Sequence, residues 1–150
     1  MIDQVHFSSL QTIWETPSDL FDTLHNRFYF NRDVAASKSN AKTSAYYDEE
    51  RDALSIDWQG RCFMNPPYGR QIRHWVRKAD HEVRCGNVPI VVGLVPARTD
   101  TIWFQKFCMP HLHRFVLSRL YFEIDGERVK DKHGRDMPAP FPSALVYFGL

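Results

Sequence analysis

Residues 61–95 read RCFMNPPYGRQIRHWVRKADHEVRCGNVPIVVGLV, and the fold class is decided inside this stretch. Arg61-Cys62-Phe63-Met64 is a short apolar strand running into Asn65-Pro66-Pro67-Tyr68-Gly69, where two consecutive prolines offer no backbone donor and stop any strand or helix. Beyond the loop, Ile72, Trp75, Val76, Ala79 and Val83 fall at i, i+3, i+4, i+7 and i+11, which predicts an amphipathic helix ended by Gly86. Its other face carries Arg70, Arg73, Arg77, Lys78 and Arg84. Val88–Val95 is rich in β-branched residues and does not alternate, as a parallel strand buried on both faces should.

Upstream, Thr16 is placed to cap a helix with Pro17 in its first turn, and Leu20, Phe21, Leu24 and Phe28 form its apolar stripe. Phe28-Tyr29-Phe30 leads into a strand that ends near Asp33-Val34-Ala35-Ala36. Residues 46–58 are weakly patterned and read as irregular. Downstream, Asp100 starts a helix through Trp103, Phe104 and Phe107. Phe115-Val116-Leu117 and Leu120–Ile124 read as strands, Asp125-Gly126 as a hairpin turn, and Ser143–Phe148 as a closing strand. Together these elements make an α/β protein with a mostly parallel central sheet and helices on both faces. With 150 residues, no repeat and no linker, the expectation is a single domain over 1–150, with 125–140 as a small turn-rich insert.

Composition excludes several classes. The chain is 43% hydrophobic and 25% charged, which is globular rather than disordered or fibrous. No segment approaches the roughly 18 uninterrupted apolar residues of a membrane span, and no signal-peptide apolar region opens the chain. Three cysteines without a C-x-x-C pair suit a reduced, cytoplasmic setting. The net charge of +1 hides an asymmetry: residues 1–60 hold ten acids against five Lys or Arg, and residues 61–150 hold eight acids against fourteen. The basic half leaves room for a polyanionic partner.

The Asn65–Tyr68 loop lies at the carboxyl end of a strand, where ligands bind in open α/β sheets. Two prolines rigidify a backbone that presents an amide side chain, a carbonyl and an aromatic ring. A planar heterocycle bearing an NH2 group suits such a clamp, its two hydrogens donated to two oxygens and its ring stacked on Tyr68. Cys108, His111 and His113 lie close in sequence but lack a fourth ligand, so no metal is expected. No G-x-S-x-G nucleophile motif occurs.

On these residues the chain resembles the short phage- and prophage-type DNA N6-adenine methyltransferases, which use S-adenosylmethionine and carry N-P-P-Y. Trp14-x-Thr16-Pro17, Asp33-Val34-Ala35-Ala36, Asp52-Ala53-Leu54 with Asp57-Trp58, the segment from Leu94 to Thr101, Arg119-Leu120-x-Phe122 and Pro142-Ser143-Ala144 follow in the family's order, covering roughly residues 12–148. The resemblance implies a Rossmann-like methyltransferase fold that transfers the methyl group of S-adenosylmethionine to N6 of a flipped-out adenine in DNA. It implies a phage or prophage enzyme working in the bacterial cytoplasm. Asn65, Pro66, Pro67 and Tyr68 would be catalytic, with the Asn65 side-chain oxygen and the Pro66 carbonyl accepting both N6 hydrogens. Trp14, Thr16, Pro17, Asp33, Ala35, Ala36, Asp52, Asp57 and Asn65 would frame the cofactor. Asp48, Glu49 and Glu50 remain undivided candidates for its ribose. One departure from the wider superfamily is that residues 1–59 contain no glycine, so small residues stand where a Gly-rich loop is usual. Arg70, Arg73, Arg98 and Arg119 are the expected DNA contacts, and 125–140, with Arg128, Lys130, Lys132, His133 and Arg135, is the candidate target-recognition insert. The rival readings are methylation of another planar nitrogen, in an RNA base or a glutamine amide, and an inactive DNA-binding relative.

Overall fold

The structure, a computed structural model, describes residues 14–150, and the opening positions of the family resemblance, 12 and 13, lie outside the described residues. Helix α1 (Ser18–Phe28) buries Phe21, Leu24 and Phe28. Thr16 does not cap it. The first turn is held instead by Glu123, a residue distant in sequence, whose carboxylate accepts from Ser18 N–H at 3.3 Å and from Ser18 Oγ at 2.9 Å. A negative charge at that helix end is also favoured by the helix dipole. Tyr29 adopts a left-handed backbone (φ 53°) and turns the chain into β1 (Arg32–Asp33), which is shorter than the sequence suggests.

Strand β2 (Arg61–Met64), helix α2 (Ile72–Arg84) and strand β3 (Ile90–Pro96) follow. β1 pairs with β2 and β2 with β3, both parallel. The expected helix after Asp100 is present from residue 102, its part Phe104–Cys108 widened to a π-helix, and it is followed by a 3-10 turn at Met109–His111 in which Pro110 can donate no backbone hydrogen bond. β4 spans Leu112–Phe115, so the apolar triplet 115–117 is not itself a strand. Pairing with the neighbouring strand stops at the bond from Val116 N–H to Ser143 O, because that strand begins right after Pro142. β5 (Glu123–Ile124) and β6 (Glu127–Arg128) form the expected hairpin, with positive φ at Asp125 and Gly126. β7 (Ser143–Phe148) closes the chain.

The sheet order is β1-β2-β3-β7-β4. β7 is antiparallel to both neighbours, so the other four strands run one way and their carboxyl ends share one edge. The pleat sends alternate residues to opposite faces. Cys62, Met64, Val91, Val95, Ala144, Val146 and Phe148 pack with Ile72, Trp75, Val76 and Ala79 of α2. Phe63, Ile90, Val92, Leu94, Leu145 and Tyr147 pack with Phe21, Leu24 and Phe28 of α1. Each large apolar side chain buried this way contributes roughly 1.5–3 kcal/mol, so the β3–β7 pair anchors the molecule. The result is a mixed α/β fold with a helix on each face of the sheet. Among the described residues no helix is long and apolar enough to cross a membrane.

Candidate active site

A cavity of about 910 Å³ opens beside the carboxyl ends of β1 and β2. This is ample for a nucleoside-sized ligand. Of the expected cofactor residues, Trp14, Thr16, Asp33, Ala35, Ala36, Asp52 and Asn65 line it, and so do Asp48, Glu49 and Glu50. Pro17 and Asp57 do not. Pro17 is buried under the start of α1. Asp57 is exposed because the next residue, Trp58, is drawn to α2 by a bond from its N–H to Glu82.

The Asn65–Tyr68 loop is positioned from both ends. β2 delivers Asn65, and Gly69, at φ 111°, turns the chain toward α2 where a side chain would be strained. Asn65 Nδ2 donates to the Trp14 carbonyl at 2.8 Å. A carbonyl can only accept, so this contact fixes which end of the amide is nitrogen and leaves Oδ1 available as an acceptor. The Pro66 carbonyl likewise accepts no hydrogen bond among the described residues, although Pro66 is buried and does not line the cavity, whereas Pro67 and Tyr68 do. The Tyr68 ring is braced edge-on by Phe122 and Phe141, at 6.0 and 5.6 Å between centroids. Its hydroxyl faces the Leu94 carbonyl at 3.4 Å, and burial pushes the phenol above its ordinary value, so the ring stays neutral.

Asp33 is the buried acid of the cavity. Burial raises its carboxyl to about 6, against the opposing effect of N–H bonds from Lys42 at 3.0 Å and Ala35 at 3.4 Å. Thr16 is only 1% exposed and its hydroxyl has no partner among the described residues, an unsatisfied group in the wall of a cavity. Trp75 of α2 has the same property at its indole Nε1. Its position on the apolar stripe marks it as core in the sequence, and no pattern signal distinguishes the first turn of α2, where core meets cavity. Lys38, Lys42 and Tyr47 are further lining residues that the sequence reading did not single out.

The segment Trp14–Thr16 is itself tied down. Glu15 exchanges two backbone bonds with Glu123, and its carboxylate accepts from the N–H groups of Asp125 and Gly126 in the β5–β6 turn. Backbone at the cavity wall is thus joined to the hairpin on one side and to Asn65 on the other.

Arg70, Arg73, Arg98 and Arg119 are exposed, and none of them is ion-paired among the described residues. Arg70 stands at the cavity mouth, and Arg119 lies near Ala139 O at 3.4 Å. Lys78 leaves the basic face of α2 to pair with buried Glu82 at 3.1 Å. In the insert, Arg128 and Lys130 share Asp136, and Arg135 pairs with Asp131, so two carboxylates offset most of the charge of these three cations.

The sequence cluster of Cys108, His111 and His113 is dispersed. Burial pushes the Cys108 thiol up to about 12, His111 bonds Asp80 at 2.9 Å, and His113 stacks on Tyr147. His81, Glu82 and Cys85 do approach one another, but the Glu82 carboxylate already accepts from Trp58 and Asn87 and pairs with Lys78.

A family model described as DNA N-6-adenine-methyltransferase (Dam) matches residues 6–141 of the chain. The chain is 33% identical over 132 residues to the DNA N-6-adenine-methyltransferase of Haemophilus phage HP1 (strain HP1c1), a match covering 84% of this chain and 74% of that relative. It is 38% identical over 63 residues to YfdM of Escherichia coli (strain K12), covering 37% of this chain and 69% of that relative.

Proposed function

This chain belongs to the DNA N-6-adenine-methyltransferase family, and we propose that its cavity holds S-adenosylmethionine while the Asn65–Tyr68 loop receives the target adenine. Methylation of adenine in DNA is the reaction of the family, and a methyl donor of this type is what such a reaction needs. In its finer form, the proposal makes the arrangement a Rossmann-like one, with the cofactor at the carboxyl edge of the sheet. The observation that carries the reading is the orientation of Asn65, whose amide nitrogen is held by Trp14 so that its oxygen is left to accept.

When bound, the cofactor supplies a methyl group already activated by a sulfonium, so no metal or covalent enzyme intermediate is needed. The residues present fit it. Thr16 and Trp75 offer buried donors that are unsatisfied among the described residues, Asp33 a carboxylate for a cationic amino group, and the 48–52 stretch carboxylates for ribose hydroxyls. Ala35 and Ala36 line the wall where larger side chains would reduce the space.

The exocyclic nitrogen of adenine is a poor nucleophile because its lone pair is delocalised into the ring. Asn65 Oδ1 and the Pro66 carbonyl accept its two hydrogens, which turns the nitrogen toward tetrahedral geometry and directs its lone pair. Tyr68, braced by Phe122 and Phe141 and neutral at all working pH, stacks on the base. This is catalysis by positioning and fixed dipoles, which together can lower a barrier by several kcal/mol. The adenine must leave the duplex to reach the loop, at a cost of a few kcal/mol. Arg70 at the cavity mouth, with Arg73 on α2 and with Arg98 and Arg119, supplies phosphate contacts.

Titration calorimetry with S-adenosylmethionine tests the cofactor assignment. Saturable one-to-one binding is expected, weakened about 3- to 10-fold in Thr16→Val, which removes one hydrogen-bonding group without changing shape. Undetectable binding by the wild-type protein, or binding indifferent to Thr16→Val and Asp33→Asn together, contradicts it.

A further inference from the structure

Leu117 is 88% exposed, the most exposed large apolar residue among the described residues. It occupies the connection between β4 and β5, where nothing in the fold requires a leucine. The next residue, Ser118, holds a left-handed backbone at φ 64°, an uncommon conformation for a non-glycine residue. Such local strain persists where the surroundings impose it and often marks a working segment. Arg114 and Arg119 flank the leucine, and both are exposed.

The location of this tip follows from the strand register. β3 and β4 run in the same direction, both antiparallel to β7, with Pro96 opposite Ser143 and Phe115 opposite Ala144. β2 runs parallel to β3, with Met64 beside Gly93. Asn65, Ala97-Arg98 and Val116-Leu117 therefore leave the sheet at the same edge. β2 and β4 are separated by β3 and β7, three strand spacings or about 14 Å. That is close to the width of a DNA major groove, about 12 Å. The tip is also fastened to the substrate side of the cavity. Leu120 O accepts from Ala139 N–H, and Phe122 and Phe141, on either side of that bond, are the two rings that brace Tyr68.

We infer that Leu117 is the wedge that enters the base stack of the duplex and fills the space left by the extruded adenine, with Arg98, Arg114 and Arg119 on the phosphates around it. The inference rests on the reading of the Asn65–Tyr68 loop as the receiver of that adenine. An apolar side chain presented on a basic surface is the chemistry by which proteins part stacked base steps. A duplex is the occupant that satisfies both features, since arginines bind its phosphates and a leucine contacts the apolar faces of its bases. The cost of unstacking and unpairing is offset by the contacts Leu117 makes inside the stack. Leu117 touches no reacting atom, so it is a positioning residue, acting on how often the adenine is extruded.

The test uses the full chain and a duplex containing an adenine that the wild-type protein methylates in DNA from a methylation-deficient host. Wild type, Leu117→Ala and Leu117→Phe are compared on this paired duplex and on one with an abasic site opposite the same adenine. Leu117→Ala is expected to slow transfer on the paired duplex by about 10- to 100-fold, because the few kcal/mol of unpairing are no longer offset. On the abasic duplex it should come within about 3-fold of wild type, and Leu117→Phe should stay near wild type on both. A 2-aminopurine placed at the target position should brighten on binding wild type and far less on binding Leu117→Ala, and this arm decides the matter if wild type does not methylate the abasic duplex. S-adenosylmethionine affinity and melting temperature should be unchanged. An equal loss on both duplexes, no loss on the paired one, or undiminished brightening with Leu117→Ala would overturn the wedge. If wild type itself methylates no adenine, the underlying reading of the site fails rather than the wedge.

Discussion

The Asn65–Tyr68 side of the cavity is suspended between a strand and a helix, whereas the side formed by residues 33–54 has almost no regular structure. The two obtain their rigidity differently. The first inherits it from the sheet, through β2 and the buried face of α2. The second is assembled from side chains that satisfy loop backbone: Asp33 accepts from Ala35 and Lys42, Asn40 from Ser37, and Asp48 from Arg51. Under the proposed function, the side that aims the target base is built on the stiffest elements, and the side that holds the cofactor is built on polar loops. The difference also shows in titration, since burial within the loop wall lifts Asp33 to about 6.

The largest effect is expected at Glu82, the joint between the two sides. From α2 its carboxylate takes the Trp58 N–H at 2.6 Å and Asn87 at 3.1 Å, and it faces Lys78. Burial alone would raise its carboxyl, but these bonds hold it below the usual range. Glu82→Ala leaves a buried N–H without a partner and should lower unfolding free energy by about 2–3 kcal/mol in denaturant titration. A change smaller than about 0.5 kcal/mol would show that the joint is not what holds Trp58.

Next in size is the pH response of the loop wall. Asp33 can meet a cationic amino group only as a carboxylate, and with its value near 6 it protonates below that pH. Affinity for S-adenosylmethionine should therefore fall about 10-fold between pH 7 and pH 5, and Asp33→Asn should flatten the profile. The ligand-free protein should show the opposite sign at this residue. A carboxyl raised by burial favours the folded state at low pH and loses that advantage as pH rises from about 4 through 6.

A smaller effect is expected at Glu123, which holds the first turn of α1 through Ser18. Glu123→Gln should cost about 0.5–1 kcal/mol by thermal melting, the scale of a lost helix cap and its charge. Smallest is Asp136→Asn in the exposed insert. Melting should hardly change, but release of Arg128 and Lys130 should tighten DNA binding and steepen its salt dependence by about one unit per phosphate gained.

The same division governs what could be read from the sequence. β2, α2 and β7 were legible because their signals are local: a helical apolar stripe from Ile72 to Val83, two prolines that stop β2, and a dense apolar run at 143–148. The residues that misled depend on partners far along the chain. Thr16 has the right chemistry and position for a cap, yet Glu123 does that work and leaves the Thr16 hydroxyl facing other duties. Phe115-Val116-Leu117 has strand composition, but Pro142 ends the partner strand beside it. Asn65 was legible as an acceptor from its motif, whereas the Trp14 carbonyl that orients it could only come from tertiary structure. Trp75 was hidden because a cavity-lining position and a core position share the same helical stripe.

Asn65 lines the cavity, but its proposed part is to activate adenine, with only a small share in holding the cofactor. The most direct measurement is transfer from methyl-labelled S-adenosylmethionine to DNA of a methylation-deficient host, with the product nucleoside identified by mass, for wild type and Asn65→Ala in parallel. Labelled N6-methyladenine is expected from wild type. Asn65→Ala should lose at least about 100-fold in rate, as when a fixed transition-state partner is removed, with cofactor affinity kept within about 3-fold. A different labelled product, an active Asn65→Ala, or joint loss of cofactor binding and transfer would contradict the account.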